Sequence, residues 1–267
     1  MKKEIPQGFY FDDSLTAGGN KRHDYYLDRK KLTGVTTVLQ TIAKPNLLQW
    51  YADMAVSSLG WLNPKYNSPE KAQEAAKTEL EAIKVLSVDE WITRLSEARL
   101  SANKRKEDSG TIGTDVHAEV EKYIKLMISD QAGKPMEMNS YENELVKKFV
   151  DWSIANVQEF LESEKKMFSK EMWLAGTCDF TFIGKDGRKY VGDLKTSNGI
   201  YDRTYFAQTA AYRMILEEMG EQDFVGSWIV RCGKDGSFEA LASFDFETDK
   251  KIFQAAYDLY KLNKLTN

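Results

Sequence analysis

Leu174-Ala175-Gly176-Thr177-Cys178-Asp179-Phe180-Thr181-Phe182-Ile183, then Gly184-Lys185-Asp186-Gly187, then Arg188-Lys189-Tyr190-Val191-Gly192-Asp193-Leu194-Lys195 decides how this chain folds. The two outer runs are rich in aromatic and β-branched residues, and the piece between them has turn chemistry, so the stretch reads as a β-hairpin. Side chains alternate along a strand. The even positions Leu174, Cys178, Phe180 and Phe182 then form an apolar face, and Asp179 points the other way beside Thr177 and Thr181. The same period puts Asp193 and Lys195 on one face of the second strand and Leu194 on the other. Paired as a hairpin, the strands bring Asp179 and Asp193 to one side of the sheet. Two adjacent carboxylates raise each other's pKa unless something positive stands between them. A divalent cation such as Mg2+ or Mn2+ suits carboxylate oxygens, with Lys195 beside it. An acid and a base two apart at a strand end equally fit a solvated edge pair, so the neighbours have to decide.

Working outward, a helix over about 204–219 stops at Gly220, a favourable residue just past a helix end. A second hairpin over 224–231 and 237–244 turns at Gly233-Lys234-Asp235-Gly236, and a last helix runs over about 247–263. Upstream, the pattern is helical over about 140–163, with Leu145, Phe149, Trp152, Val157 and Phe160 facing a core. Gly110-Thr111-Ile112-Gly113 opens a helix with the apolar stripe Val116, Val120, Tyr123, Ile124 and Met127. Ser87-Val88-Asp89-Glu90 has the form of a helix start, and a charged, alanine-rich helix covers about 69–85. Helical character begins near Asn46, whereas 25–28 and 34–39 read as short extended or turn-linked pieces. The fold class is α/β or α+β: a helical N-terminal half feeding a β-β-α-β-β core, whose mixed central sheet is flanked by helices.

A chain of 267 residues with 42% hydrophobic and 29% charged residues reads as one globular domain, or as a core with a helical lobe. No apolar run approaches the ~20 residues of a membrane helix, and the first residues lack a signal-peptide stretch, so a cytoplasmic setting is expected. Cys178 and Cys232 lie in strand-like apolar runs and read as small buried hydrophobes. Two cysteines cannot hold an iron–sulfur cluster through four thiolates. A net charge of −4 argues against indiscriminate nucleic-acid binding but leaves room for a local basic groove. Lys104-Arg105-Lys106, Lys165-Lys166 and Arg203 are the basic groups that could line one, or they are simply solvated surface.

Gly176-Thr177-Cys178-Asp179, Gly192-Asp193-Leu194-Lys195-Thr196-Ser197 and Gln208-Thr209-Ala210-Ala211-Tyr212, in that order, resemble successive motifs of the PD-(D/E)XK nuclease superfamily. The RecB-like branch, with its phage-type exonucleases, is the most similar. That branch also carries a histidine on an upstream helix, and Gly113-Thr114-Asp115-Val116-His117 has the matching character and order.

The resemblance implies a restriction-endonuclease-like core over 109–267 behind a mostly helical lobe over 1–108. It implies metal-dependent DNA cleavage with Asp179, Asp193 and Lys195 as catalytic residues. One or two Mg2+ or Mn2+ ions would be held by His117, Asp179, Asp193 and the backbone carbonyl of Leu194. Gln208 and Tyr212, four apart on one helical face, would place the DNA backbone and Lys195. Glu164 resembles an acid often found ahead of the first strand, standing behind the ligands. Only cluster-free members match, since the iron–sulfur relatives need four cysteines. Exonuclease action in phage or bacterial recombination, repair or processing follows, with DNA and a single-strand annealing protein or helicase as partners. Ring assembly and monomer both occur among such proteins, so a homo-oligomer stays open. The rival is a catalytically weak DNA-binding or scaffold subunit of a nuclease–helicase or recombination complex. The intact set of acids, lysine, glutamine and tyrosine favours an enzyme. No Gly-x-x-x-x-Gly-Lys-Ser/Thr loop is present, so ATP dependence would have to come from a partner.

Overall fold

The computed structural model describes residues 7–16, 22–129, 143–197 and 199–264, and the side chains of all of these but 45–46 and 106–114. It divides into two compact units, Met1–Ile42 with Gly113–Asn267, and Ala43–Ile112. The first 42 residues therefore belong with the sheet-bearing unit, and the helical part is narrower than the lobe expected over 1–108.

The smaller unit holds α2 (Pro45–Ser57), α3 (Pro69–Lys84) and the first half of α4 (Val88–Ile128). Ser68 caps α3 by accepting the Lys71 N–H, and Pro69 occupies the first turn, where its missing N–H is harmless. Ser87 and Glu90 form a reciprocal capping box before α4: the Ser87 N–H donates to Glu90 Oε2 at 2.7 Å, and the Glu90 N–H to Ser87 Oγ at 3.3 Å. Helix α4 then runs unbroken through Gly110 and Gly113. These glycines were expected to open a new helix, but a glycine inside a helix costs only about 1 kcal/mol, so two of them weaken a 41-residue helix without ending it.

In the larger unit, β1 (Phe9–Asp12), β2 (Asp24–Leu27) and β3 (Lys30–Lys31) form a small antiparallel sheet. The main sheet has β6 (Leu174–Gly184) and β7 (Lys189–Lys195) at its centre, as the opening stretch requires. They pair antiparallel from Ile183 with Lys189 to Phe180 with Gly192. The turn between them closes through Gly184 N–H to the Arg188 carbonyl at 2.8 Å, and Gly187 takes the left-handed φ of 75° that the turn needs. After α6 (Thr204–Glu218), β8 (Phe224–Cys232) lies parallel to β7, with Asp193 beside Ile229 and Lys195 beside Arg231. β9 (Phe238–Ser243) pairs antiparallel with β8, and α7 (Phe246–Asn263) follows.

On the other side of β6 runs β5 (Val157–Ser169), antiparallel along its whole length. Helix α5 (Glu144–Asn156) thus ends seven residues short of the expectation over 140–163, and Val157 and Phe160 belong to a strand. Bulges between Val157 and Glu159 and between Phe160 and Glu162 break the two-residue alternation there, which leaves an apolar spacing that mimics a helix. Near the N-terminus, β4 (Thr33–Gly34) pairs parallel with Leu174 and Ala175, and α1 (Val35–Leu39) is helical where extended chain was expected. Val35, Val38 and Leu39 are buried on one α1 face, and that burial outweighs the β-branched residues' weak dislike of helices.

Two apolar clusters cover the sheet. One combines Val116, Val120, Tyr123 and Ile124 of α4 with Phe149 and Trp152 of α5, and with Phe160, Phe180, Phe182, Tyr190 and Leu194 of the sheet. Met127, expected in the α4 stripe, is 42% exposed and lies outside it. The other joins Val35 and Val38 to Leu174, Cys178, Val191, Ala207, Ala211, Tyr212, Ile215 and Phe253. Gly192 has a specific packing duty: a Cβ there would stand 2.0 Å from the Phe180 ring. We predict that Gly192→Ala destabilises the protein by about 1–3 kcal/mol through overpacking, seen as a lower urea midpoint. An unchanged midpoint would mean that the ring is not seated on Gly192.

Candidate metal centre

Pairing of β6 with β7 stops at Phe180 and Gly192, although β7 continues to Lys195 against β8. Beyond the last pair the Leu194 N–H donates to Asp179 Oδ2 at 2.7 Å, so a carboxylate replaces a strand carbonyl where the two strands part. Alternation along β6 changes phase at the same place. Leu174 and Cys178 lie in the cluster with α6 and α7, whereas Phe180 and Phe182 lie in that with α4 and α5. The single apolar face expected for these four residues is therefore split in two. On the opposite edge, Ser163 pairs with Phe180 and Lys165 with Cys178, which sets Glu164 across from Asp179. Glu164 has φ of 51°, a left-handed backbone that non-glycine residues rarely adopt.

Three elements converge here. His117 of α4, Glu164 of β5 and Asp179 of β6 each offer one ligand atom, and these atoms lie within 4.8 Å of one another. Val116 and Val120, buried on either side of it in sequence, fix the turn of α4 that presents His117. Burial, and then the charge on Asp179, push the Glu164 carboxyl up to about 7, with Lys166 opposing from 3.7 Å. Burial also raises Asp179, although Lys195 and the Leu194 N–H both favour its ionised form. Burial and the Lys195 charge lower His117, which keeps its imidazole neutral and its lone pair available.

Beside this trio stands the second carboxylate of the hairpin. Asp193 is completely buried, with Lys195 Nζ 2.6 Å from its Oδ2. Burial raises its pKa, and the neighbouring Asp179 charge adds to the rise. Burial disfavours the Lys195 ammonium, but Asp193 and Asp179 outweigh it and hold the pKa above the ordinary lysine value. Lys195 is thus a cation at neutral pH. It also donates to Gln208 Oε1 at 3.2 Å, and Gln208 Nε2 donates to the Tyr212 hydroxyl at 2.7 Å. The Tyr212 ring closes over Gly176, where a Cβ would come within 2.8 Å of it. Gly176 and Tyr212, from separate motifs, therefore form one contact.

The donor set fits a divalent cation. Two carboxylates and a neutral imidazole offer oxygen and nitrogen ligands, and Asp193 Oδ1 is buried with no hydrogen-bond partner among the described residues. The structure brings His117, Asp179, Asp193, Lys195, Gln208 and Tyr212 near one another, and two residues stand otherwise than expected. Asp193 stands outside the trio, engaged with Lys195. The Leu194 N–H donates to Asp179, a contact separate from the carbonyl expected as a ligand. Glu164, expected behind the ligands, is a full member of the trio. The signal that would have found it is the strand register of β5, hidden while that segment read as helix. Of the basic candidates, Lys165 is held by Glu162 and Glu221, and Arg203 by Asp249 and Asp245. Lys104 and Arg105 are exposed in the smaller unit, and the Lys106 side chain lies outside the described residues.

No family model matches the chain, and no curated protein is similar to it. Among solved structures, one described as "Crystal structure of SSO0001" aligns over 54% of this chain and 70% of that chain, at 15% identity and a TM-score of 0.27. So loose a likeness leaves the reading of the centre to its own chemistry.

The Glu164 carboxyl has a testable consequence for the metal-free protein. Its folded pKa, about 7, lies above the ordinary carboxylate value of 4.5, so between these values the folded chain binds more protons than the unfolded one. Stability in EDTA should therefore fall as pH rises from 4.5 towards 7, and Glu164→Gln should flatten that fall. A cation held by the two ionised carboxylates and the neutral imidazole reverses the trend, so MnCl2 should raise Tm more at pH 8 than at pH 5.5. A Tm indifferent to MnCl2 at both pH values would rule out the centre.

Proposed function

We propose that this chain is a Mg2+- or Mn2+-dependent deoxyribonuclease of the PD-(D/E)XK type, with a restriction-endonuclease-like core, acting on DNA ends. The observation that carries the reading is the junction of β6 and β7. There Asp179 and the Asp193–Lys195 pair come together with His117 and Glu164 on one side and Gln208 and Tyr212 on the other.

His117, Glu164 and Asp179 would hold the cation, and the buried, unpartnered Asp193 Oδ1 is a further oxygen it could draw on. Once bound, the cation contributes Lewis acidity towards a phosphodiester and neutralises the clustered carboxylates. Lys195 places an ammonium beside the carboxylates, where negative charge grows as a phosphodiester is attacked. Held against Asp193, the lysine is placed to orient an attacking water or take its proton, and to stabilise that growing charge. Gln208, itself held by Tyr212, restricts the lysine to that pose. DNA is the partner, and a homo-oligomer or an accompanying annealing protein or helicase is compatible with the reading. No helix among the described residues is long and apolar enough to cross a membrane.

The test is digestion of end-labelled linear DNA beside a covalently closed circle, with and without MgCl2. The linear DNA should be degraded from its ends, the circle should survive, and EDTA should stop the reaction. Lys195→Ala should slow cleavage by roughly 10²–10³-fold, the cost of removing a donor aimed at developing charge, under conditions where circular dichroism shows the variant still folded. Wild-type cleavage by the Lys195→Ala protein would remove the lysine from the mechanism. DNA binding without cleavage by the native protein would point to a binding subunit instead.

A further inference from the structure

Arg231 is a guanidinium buried to 5% exposure on β8, and in the parallel register it is the strand partner of Lys195. A buried arginine needs a reason, since desolvating the charge is costly unless its donors are met. Its Nε pairs with Glu239 on β9 at 3.1 Å, and its Nη1 donates to the Ser197 carbonyl, also at 3.1 Å. Ser197 is the second residue past Lys195. Its hydroxyl donates to the Gly199 carbonyl at 3.1 Å, and the Tyr205 hydroxyl reaches the same carbonyl at 3.4 Å. The Tyr205 ring then lies 5.9 Å from Lys195 Nζ. These contacts run from Arg231 through Ser197, Gly199 and Tyr205 back to the lysine.

We propose that Arg231 is a positioning residue for Lys195: it pins the chain leaving β7 so that the ammonium stays between Asp193, Gln208 and the Tyr205 ring. The kinetic part of this inference rests on the nuclease reading above, whereas the structural part does not. The planar fork matters. Two separate nitrogens meet a carboxylate and a backbone carbonyl at once, which a lysine ammonium at the end of a flexible stem does less well. Among the described residues no hydrogen bond joins Arg231 to the cation-ligand trio, and its link towards the centre runs through the chain just after Lys195.

The experiment compares Arg231→Gln and Arg231→Lys with Arg188→Gln, an exposed arginine on the β6–β7 turn that controls for loss of one positive charge. Three measurements are made on each: kcat and KM on end-labelled linear DNA with MgCl2, the rate of Lys195 acetylation by mass spectrometry, and amide exchange in the stretch after Lys195. Arg231→Gln should lower kcat by about tenfold or more with KM little changed, because misplacing a catalytic group costs rate rather than binding. Lys195 acetylation and amide exchange should both rise several-fold at temperatures where the variant stays folded. Arg231→Lys should recover part of each effect, and Arg188→Gln should match wild type. A raised KM at constant kcat would show Arg231 contacting DNA itself and would overturn the proposal, as would unchanged acetylation and exchange. If native protein cuts no DNA, the nuclease reading fails, and the acetylation and exchange rates still decide whether Arg231 positions Lys195.

Discussion

Where β6 and β7 separate, a backbone N–H in the middle of the protein needs an acceptor, and Asp179 supplies it. A buried amide left without a partner costs about 1–3 kcal/mol, so the strands could not part at Leu194 without such a group. The contact does two things. It lets β7 continue alone against β8, carrying Asp193 and Lys195 clear of the pairing. It also fixes the Asp179 carboxylate at the parting, and an ionised carboxylate has lone pairs to spare after accepting one hydrogen bond. The geometry of the centre and the topology of the sheet are one constraint seen from two sides.

That arrangement concentrates charge where the chain can least solvate it. Glu164, Asp179 and Asp193 are all shifted upwards, and Lys166 and Lys195 are the cations set against them. Such a cluster works against folding, and the compensation comes from around it. The aromatic cluster of Phe149, Trp152, Phe160, Phe180 and Phe182 packs on one side, and the aliphatic surface under α6 and α7 on the other. Upward-shifted carboxylates beside a held lysine mark catalytic sites and structural ion-pair networks alike.

Much of this was legible in the sequence, for local reasons. The hairpin, the helix that ends near Gly220 and the second hairpin each carry their own turn and period, so they read correctly without knowledge of distant contacts. The pairing of Gln208 with Tyr212 follows from helical spacing alone. What the sequence concealed depends on other parts of the chain. β5 is a strand because β6 offers it an edge, and its bulges erase the alternation that would have announced it. With that strand unread, Glu164 had no register and no place opposite Asp179. The helical form of Val35–Leu39 is likewise settled by packing rather than by propensity, whereas α4 passes through two glycines because their cost is small against its length.

Glu164 is pulled in two directions by what the protein asks of it. Its φ of 51° is a conformation in which glycine is at ease and a branched or long side chain is not. A glycine would relax the backbone and delete the oxygen that meets His117 and Asp179; a glutamate keeps the oxygen and carries the tension. The position is therefore a natural gauge of selection. Were the carboxylate there released from any duty, glycine or asparagine would suit the position better, since both tolerate that backbone more easily than glutamate.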